Sequence, residues 1–199
     1  MPSGVVTSGH PAEAGLQPDL VASFARSGQN VNGLDDDGMP IAGALLFRYP
    51  AAAHALAEAG ARVDNAMVAA GLGQLSVLRS LLTDARPPEA DPGVLNSCIG
   101  PTLDRTTTPA QALLVAAMAG ESTVVDYLIT AGVDPNTPLN HGITALHEAA
   151  FRGRRAVVER LVEAGARPDI VERQFGATPA GWAAHGGHEQ VVRFLAQLD

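Results

Sequence analysis

Short apolar segments alternate with glycine-containing turns along the second half of the chain, and the arrangement returns at a regular interval. The clearest copy runs over residues 142–166, where the apolar segments on either side of Gly153 predict two short helices joined by a turn. The arrangement returns over residues 176–195 around Gly187. Two such helices cannot bury their apolar surface alone, so their stability must come from stacking neighbouring copies into one elongated core. The pattern therefore predicts an all-α fold, an α-solenoid.

The copy that begins at Thr144 and carries the pair Leu146-His147 resembles the ankyrin repeat, which has a T-P-L-H-x-A signature and a period of about 33 residues. The glycines that separate the two helices recur after 33 and 34 residues, at positions 120, 153 and 187. This resemblance implies an α-solenoid of about five stacked helix-turn-helix repeats with a truncated N-terminal unit. It covers roughly residues 19–199 and is strongest after residue 108.

The spacing of the repeats also predicts the domain organisation. Residues 1–18 are expected to form an N-terminal tail, and residues 19–199 a single ankyrin-repeat domain. The interval between Gly73 and Gly120 is 47 residues, an excess of about 14 over the family period. This excess predicts an insertion loop at about 86–108. The loop could fold over the concave face, or it could be a solvated linker, which is tolerated because loop-closure entropy grows slowly with length.

Composition narrows the range of partners and compartments. All 13 cationic residues are arginine and the net charge is −8, so we do not expect nucleic acid or a membrane surface as a partner. The arginine-rich stretch 152–173 is interpreted as a solvated face, with recognition of an anion as the alternative. Cys98 has no cysteine partner, and the first 25 residues lack a cationic start followed by an apolar run. We therefore predict a soluble protein of the cytoplasm.

Residues that often carry chemistry have structural interpretations in this chain. The resemblance implies that His147 bonds the turn that begins its helix and that His188 starts the second helix of the last unit. A zinc site requires converging ligands in short paired spacings, which the sequence does not contain. No nucleophile elbow, phosphate loop or H-E-x-x-H motif occurs. The sequence therefore predicts no cofactor, no metal and no catalytic residue.

The resemblance also implies which residues face a partner. In the ankyrin family, the first helix of each unit and the tips of the connecting segments line the concave side. Most residues at these positions are apolar or aromatic, and an exposed apolar patch on a soluble protein usually marks a binding site. The candidate binding residues are Trp182, His185, Phe151, Arg152, Glu148, Met118, Val115, Leu72, Phe47, Asn136, Asn140, His141 and Gln174. A shift of one residue would instead place Val115 in the core.

These residues predict a non-catalytic binding module that recognises a protein or peptide partner through an apolar concave groove. Trp182, Phe151 and Met118 are the expected anchors, with the polar candidates providing selectivity at the rim. The alternative is an enzyme of the cyclase or isomerase type, or a carrier, for a small hydrophobic ligand. In that case the 86–108 insertion closes the groove into a pocket, and orientation alone lowers the barrier.

Overall fold

The computed structural model describes residues 26–27, 44, 50–63, 65–83 and 108–198. Within these ranges the chain is all-helical, with one short 3-10 turn at Asn140–Gly142. The α-helices with described bounds are α1 (Pro50–Glu58), α2 (Ala66–Gly71), α3 (Leu75–Thr83), α4 (Thr108–Ala119), α5 (Ser122–Thr130), α6 (Ala145–Phe151), α7 (Arg155–Glu163), α8 (Pro179–His185) and α9 (Glu189–Leu195).

From α2 onward the helices form four pairs, which we number as units 1 to 4. The first helices stack in one layer, in which α2 contacts α4, α4 contacts α6 and α6 contacts α8. Each second helix packs on the first helix of its own unit, and α7 contacts both α5 and α9 in the second layer. This two-layer stack confirms the predicted α-solenoid.

Local sequence signals set where the first helices begin. Thr144 precedes α6, and its backbone N–H and hydroxyl both meet the His147 ring in a capping box. Thr178 precedes α8, where its hydroxyl accepts from Gly181 N–H at 3.3 Å and Pro179 occupies the first turn. Asn65 plays the same part for α2 by accepting from Met67 N–H at 2.8 Å.

The glycine between the two helices of a unit fixes how the next unit sits on it. Gly120 and Gly153 have φ values of +93° and +64°, a region that residues with a Cβ rarely adopt. The side chain of Arg154 lies over Gly120, and the ring of His188 lies over Gly153, in the space that a Cβ would fill. Arg154 Nε also donates to the carbonyl of Met118 at 3.1 Å. The glycines therefore set the register between successive units as well as the turns within them.

Two apolar clusters hold the stack together. One lies between the two helical layers and includes Leu113, Leu146 and Leu161. The other joins the opposite face of α2 and α4 to α1. Its members from α2, its C-terminal cap and α4 are Met67, Val68, Leu72, Leu114, Val115 and Met118, and those from α1 are Ala52, Ala53 and Leu56. The face of α2 and α4 that points away from the second helices is therefore apolar and buried.

The burial of this face corrects part of the predicted groove. Leu72, Val115 and Met118 were predicted to line a solvent-facing surface, but all three are buried in the second cluster. The reason is that α4 is apolar all round, with every residue from Ala110 to Met118 buried. A helix that is apolar on all sides is stable only when neighbours cover all its sides. In units 1 and 2 the concave face is therefore core.

Several sequence predictions fall on residues that the structure does not describe. They are the 1–18 tail, the candidate Phe47 and the 86–108 insertion, except for Thr108, which begins α4. The division into tail, domain and insertion stays a prediction. Among the described helices, none combines the length and the apolar character needed to cross a membrane.

Candidate functional site: an aromatic cleft in units 3 and 4

Units 3 and 4 together form an open cleft of about 470 Å³. Its walls come from α6, from α8 and from the segment 164–178 that connects α7 to α8. The lining residues are Glu148, Phe151, Phe175, Ala177, Gly181, Trp182 and His185. Four of the sequence-predicted binding residues, Glu148, Phe151, Trp182 and His185, are thus brought together in one cleft, which we call the aromatic cleft.

Trp182 lies at the centre of the aromatic cleft and organises its rings. The indole contacts Phe151 edge to face, with ring centroids 5.6 Å apart, and Phe175 at 6.3 Å and 63°. Phe151 in turn stacks on His185, with centroids 6.0 Å apart and planes 12° from parallel. These separations lie in the range where aromatic pairs stabilise one another by about 0.5–1.5 kcal/mol each. The rings therefore form a preorganised apolar wall.

The outer edge of the cleft is exposed. Phe175 is 72% exposed and Val171 is 54% exposed, whereas Phe151 and Trp182 are half-buried. Phe175 and Val171 both lie on the connecting segment, outside the periodic helices, so the sequence analysis did not select them. A large aromatic side chain held in solvent beside a cleft is the kind of feature that marks a contact surface.

The side chain of Glu172 holds the connecting segment 164–178 in place. Its buried carboxylate accepts backbone N–H bonds from Gln174 at 2.6 Å, Phe175 at 3.0 Å and Ala177 at 3.1 Å. Trp182 Nε1 donates to the same carboxylate over 3.5 Å. Burial by itself raises the pKa of Glu172, but the three backbone N–H groups and the indole outweigh it and hold this pKa below its ordinary value. The anion thereby fixes both Phe175 and Trp182.

Sequence reasoning missed Glu172, and the sequence offers no signal for it. Asp and Asn are the acidic and amide residues that usually accept from turn N–H groups, because their side chains are short. A glutamate in a polar connecting segment looks like any solvated charge until the fold around it is known.

His147 supports Trp182 from the inner side of α6. Its Nδ1 accepts from Thr144 N–H at 3.3 Å, so the ring proton is on Nε2, which donates to the carbonyl of Ala177 at 3.3 Å. Burial lowers the pKa of His147 despite the opposing effects of the Ala177 carbonyl and of Glu172. The ring meets Trp182 edge to face at 5.6 Å. His147 thus takes the structural role that the resemblance implied and is neutral at physiological pH.

An ion pair lies beside the rings. Arg152 Nε is 3.1 Å from Oε2 of Glu148, and the two side chains are 8% and 14% exposed, respectively. Glu148 lines the cleft, whereas Arg152, another predicted binding residue, does not. The lining of the cleft therefore includes the Glu148 carboxylate, whereas the Arg152 guanidinium that pairs with it lies outside the lining.

The remaining polar candidates lie elsewhere. Gln174 is exposed next to Phe175, and Asn140 and His141 form the 3-10 turn, where His141 adopts φ +55°. Asn136, another predicted binding residue, bridges two units with its side chain. It donates to the Gly165 carbonyl at 3.0 Å and accepts from Arg167 N–H at 2.8 Å. Its position between two connecting segments makes it part of the scaffold.

Comparisons with known proteins agree with this architecture. Residues 66–172, more than half of the chain, match the family model described as Ankyrin repeats (3 copies). The inactive serine/threonine-protein kinase TEX14 of Mus musculus is 35% identical over 100 residues, which cover 48% of this chain and 7% of that protein. The palmitoyltransferase Hip14 of Drosophila melanogaster is 36% identical over 83 residues, covering 42% of this chain and 13% of Hip14.

A third relative extends the match along more of the chain. The ankyrin repeat domain-containing protein SAT10 of Stachybotrys chartarum is 30% identical over 145 residues, which cover 65% of this chain and 8% of SAT10. The chain therefore spans only a small part of the length of these relatives, whose names describe different proteins. Ankyrin repeats generally mediate protein–protein interactions. The family match over more than half the chain and the stacked helix pairs lead to one conclusion: the chain belongs to the ankyrin-repeat family.

Proposed function

We propose that this chain is a non-catalytic binding module that recognises a segment of a protein partner at the aromatic cleft of units 3 and 4. The observation that carries the proposal is the exposed ring of Phe175, which stands 72% in solvent beside the half-buried Trp182. The family's general role in protein–protein interaction supports a protein as the partner.

The energetics of the cleft favour binding. Fully burying a large apolar side chain such as Phe175 is worth about 1.5–3 kcal/mol. The cost of ordering the binding surface is small here because Glu172 already fixes the backbone on both sides of Phe175. A partner therefore meets a rigid apolar surface and loses little of that gain to reorganisation.

The covered concave face of units 1 and 2 limits the footprint of the partner. Leu72, Val115 and Met118 are buried, so the apolar contact area available in the described part of the concave side is concentrated in units 3 and 4. This arrangement suits a short segment of a partner that inserts one or two side chains, in place of a long groove that a whole helix would fill.

The small-ligand alternative lacks the observation it requires. The cleft volume of about 470 Å³ lies within the usual range for small-molecule sites, but the exposed Phe175 leaves its outer edge open. The insertion at 86–108 was predicted to close the groove into a pocket. Apart from Thr108, it lies outside the described residues.

The test begins with a defined ligand. Peptides are selected from a random library on the immobilised chain, and the best binder is titrated against the wild type, Phe175→Ser and Leu198→Ser. Leu198 is a matched control because it is 43% exposed and does not line the cleft. We expect Phe175→Ser to weaken binding about tenfold or more, as loss of a central aromatic contact does, and Leu198→Ser to leave it unchanged.

Phe175 is a better probe than Trp182, because Trp182 also packs on His147 and hydrogen-bonds Glu172. Replacing Trp182 would change both the fold and the contact surface. If selected peptides bind Phe175→Ser as tightly as the wild type, the cleft is not the recognition surface and the proposed function is wrong.

A further inference from the structure

The carboxylate of Glu148 has unused hydrogen-bonding capacity inside the cleft. Arg152 occupies one of its oxygens, Oε2. Among the described residues, Arg152 is the one hydrogen-bond donor to this carboxylate, so Oε1 can still accept a bond. Glu148 lines the aromatic cleft together with Phe151 and Trp182. Any partner that fills the cleft therefore meets a carboxylate oxygen that can still accept a hydrogen bond.

This requirement discriminates between possible occupants. A purely apolar side chain would desolvate an ionised oxygen without donating a hydrogen bond to it. The cost of this desolvation would weaken binding strongly. A side chain that carries a donor and a positive charge would restore the hydrogen bond and compensate the charge. The cleft wall is aromatic, so the occupant must also be able to lie against rings.

The rings around Glu148 suit a cation. Positive groups are attracted to the faces of aromatic rings, and most strongly to the face of Trp. The ring planes of Trp182 and Phe175 make an angle of 63°, so the two rings form adjacent walls. Glu172 accepts from Trp182 Nε1, which places a buried negative charge at the edge of that ring.

Arg152 opposes this attraction, because its guanidinium also interacts with Glu148. However, Arg152 does not line the cleft and its side chain is only 8% exposed. A carboxylate has two oxygens and accepts from two donors at once. Arg152 therefore orients Glu148 and leaves Oε1 for a second donor.

We propose that the aromatic cleft binds a cationic side chain of the partner segment, above all arginine, with the guanidinium against Trp182 and Phe175 and one N–H donated to Glu148 Oε1. This inference rests on the proposed function and specifies its anchor. Arginine is favoured over lysine because its planar, weakly hydrated guanidinium stacks on aromatic rings while its N–H groups donate at the edge.

The test uses short blocked peptides of the form Gly-X-Gly, in which X is arginine, citrulline or norleucine. Citrulline has the shape of arginine without its charge, and norleucine has an apolar chain of similar length. Trp182 is the only tryptophan in the chain, so its indole N–H gives a single signal in a nitrogen–proton NMR spectrum that reports binding even at millimolar affinity. We expect arginine to bind about fivefold or more tightly than citrulline, in line with a cation held against aromatic faces.

Glu148→Gln separates the carboxylate from the rings. In this variant the preference for arginine over citrulline should fall towards one, while Glu163→Gln, an exposed glutamate that does not line the cleft, should keep it. Thermal unfolding of both variants checks that the stack is intact. Because the loss of the ion pair with Arg152 could loosen the end of α6, the ratio between two peptides on the same variant is the deciding quantity.

The outcomes are distinct. If citrulline or norleucine binds as tightly as arginine, the cationic anchor is wrong, whereas the proposed function stands with an apolar anchor. If none of the three peptides moves the Trp182 signal, the cationic anchor is also wrong, and the library-selected peptides decide the proposed function independently through Phe175→Ser.

Discussion

The two halves of the described stack use the same helix pair in different ways. In units 1 and 2, the first helices α2 and α4 are buried on both faces, with one face in each apolar cluster. In units 3 and 4, the concave sides of α6 and α8 carry rings that remain partly exposed. A repeat therefore specifies how a unit stacks, whereas the residues on its free face decide whether that face becomes core or a binding surface.

The largest effect that separates the two halves is expected at Met118. If the concave face of unit 2 is core, Met118→Ala leaves a cavity and lowers the free energy of unfolding by about 2–5 kcal/mol. Val171→Ala, at a position 54% exposed beside the cleft, is the control and should cost no more than about 0.5 kcal/mol. Urea unfolding followed by circular dichroism measures both. Equal and small losses would mean that both halves expose their concave face.

A second comparison concerns how tightly each half is held in register. Gly73 and Gly153 have nearly the same φ, +68° and +64°, so Ala strains both backbones equally, by about 1–3 kcal/mol. The neighbours differ. A methyl at Gly73 meets the end of the flexible Glu121 side chain, whereas one at Gly153 meets the rigid ring of His188.

We therefore expect Gly153→Ala to be more destabilising than Gly73→Ala by about 1 kcal/mol or more, the usual range for overpacking. Thermal and urea unfolding of the two variants give the difference directly. The same destabilisation in both would show that the ring of His188 yields as easily as the end of Glu121, and that contact with the next unit does not fix the register.

The fold was predictable because stacking imposes a period on the sequence. Each unit needs a glycine where φ is positive and the next unit approaches closely, as at Gly120 and Gly153, so the spacing of these residues reveals the architecture. The positions of Phe151 and Trp182 on the concave side of their helices followed from that same register.

The parts that failed depend on contacts between distant segments. Helical periodicity does not say whether an apolar face such as that of Met118 is covered, because the other members of its cluster, such as Leu56 and Ile143, lie in other parts of the chain. Phe175 and Glu172 lie in a connecting segment without periodicity. Their roles arise from turn geometry that only the folded chain shows.

A further effect is expected at Glu172, and it is confined to the exposed half. Glu172→Gln replaces one acceptor oxygen with a donor amide that faces backbone N–H groups, at a cost of about 1–2 kcal/mol. Because the folded environment lowers the pKa of Glu172, the wild type has this advantage in full above about pH 4.3, where an unperturbed glutamate titrates. The advantage is lost as the pH falls through the lower pKa of the folded state.

The difference in the free energy of unfolding between the wild type and Glu172→Gln should therefore be largest at neutral pH and shrink in acid. Trp182 fluorescence provides a local measurement, because its indole N–H is bonded to this carboxylate. Acid should change the emission of the wild type towards that of the variant before the helices unfold. A difference that stays constant down to pH 3 would contradict the claim that Glu172 is ionised in the folded chain. It would also remove the explanation of how the connecting segment fixes the position of Phe175.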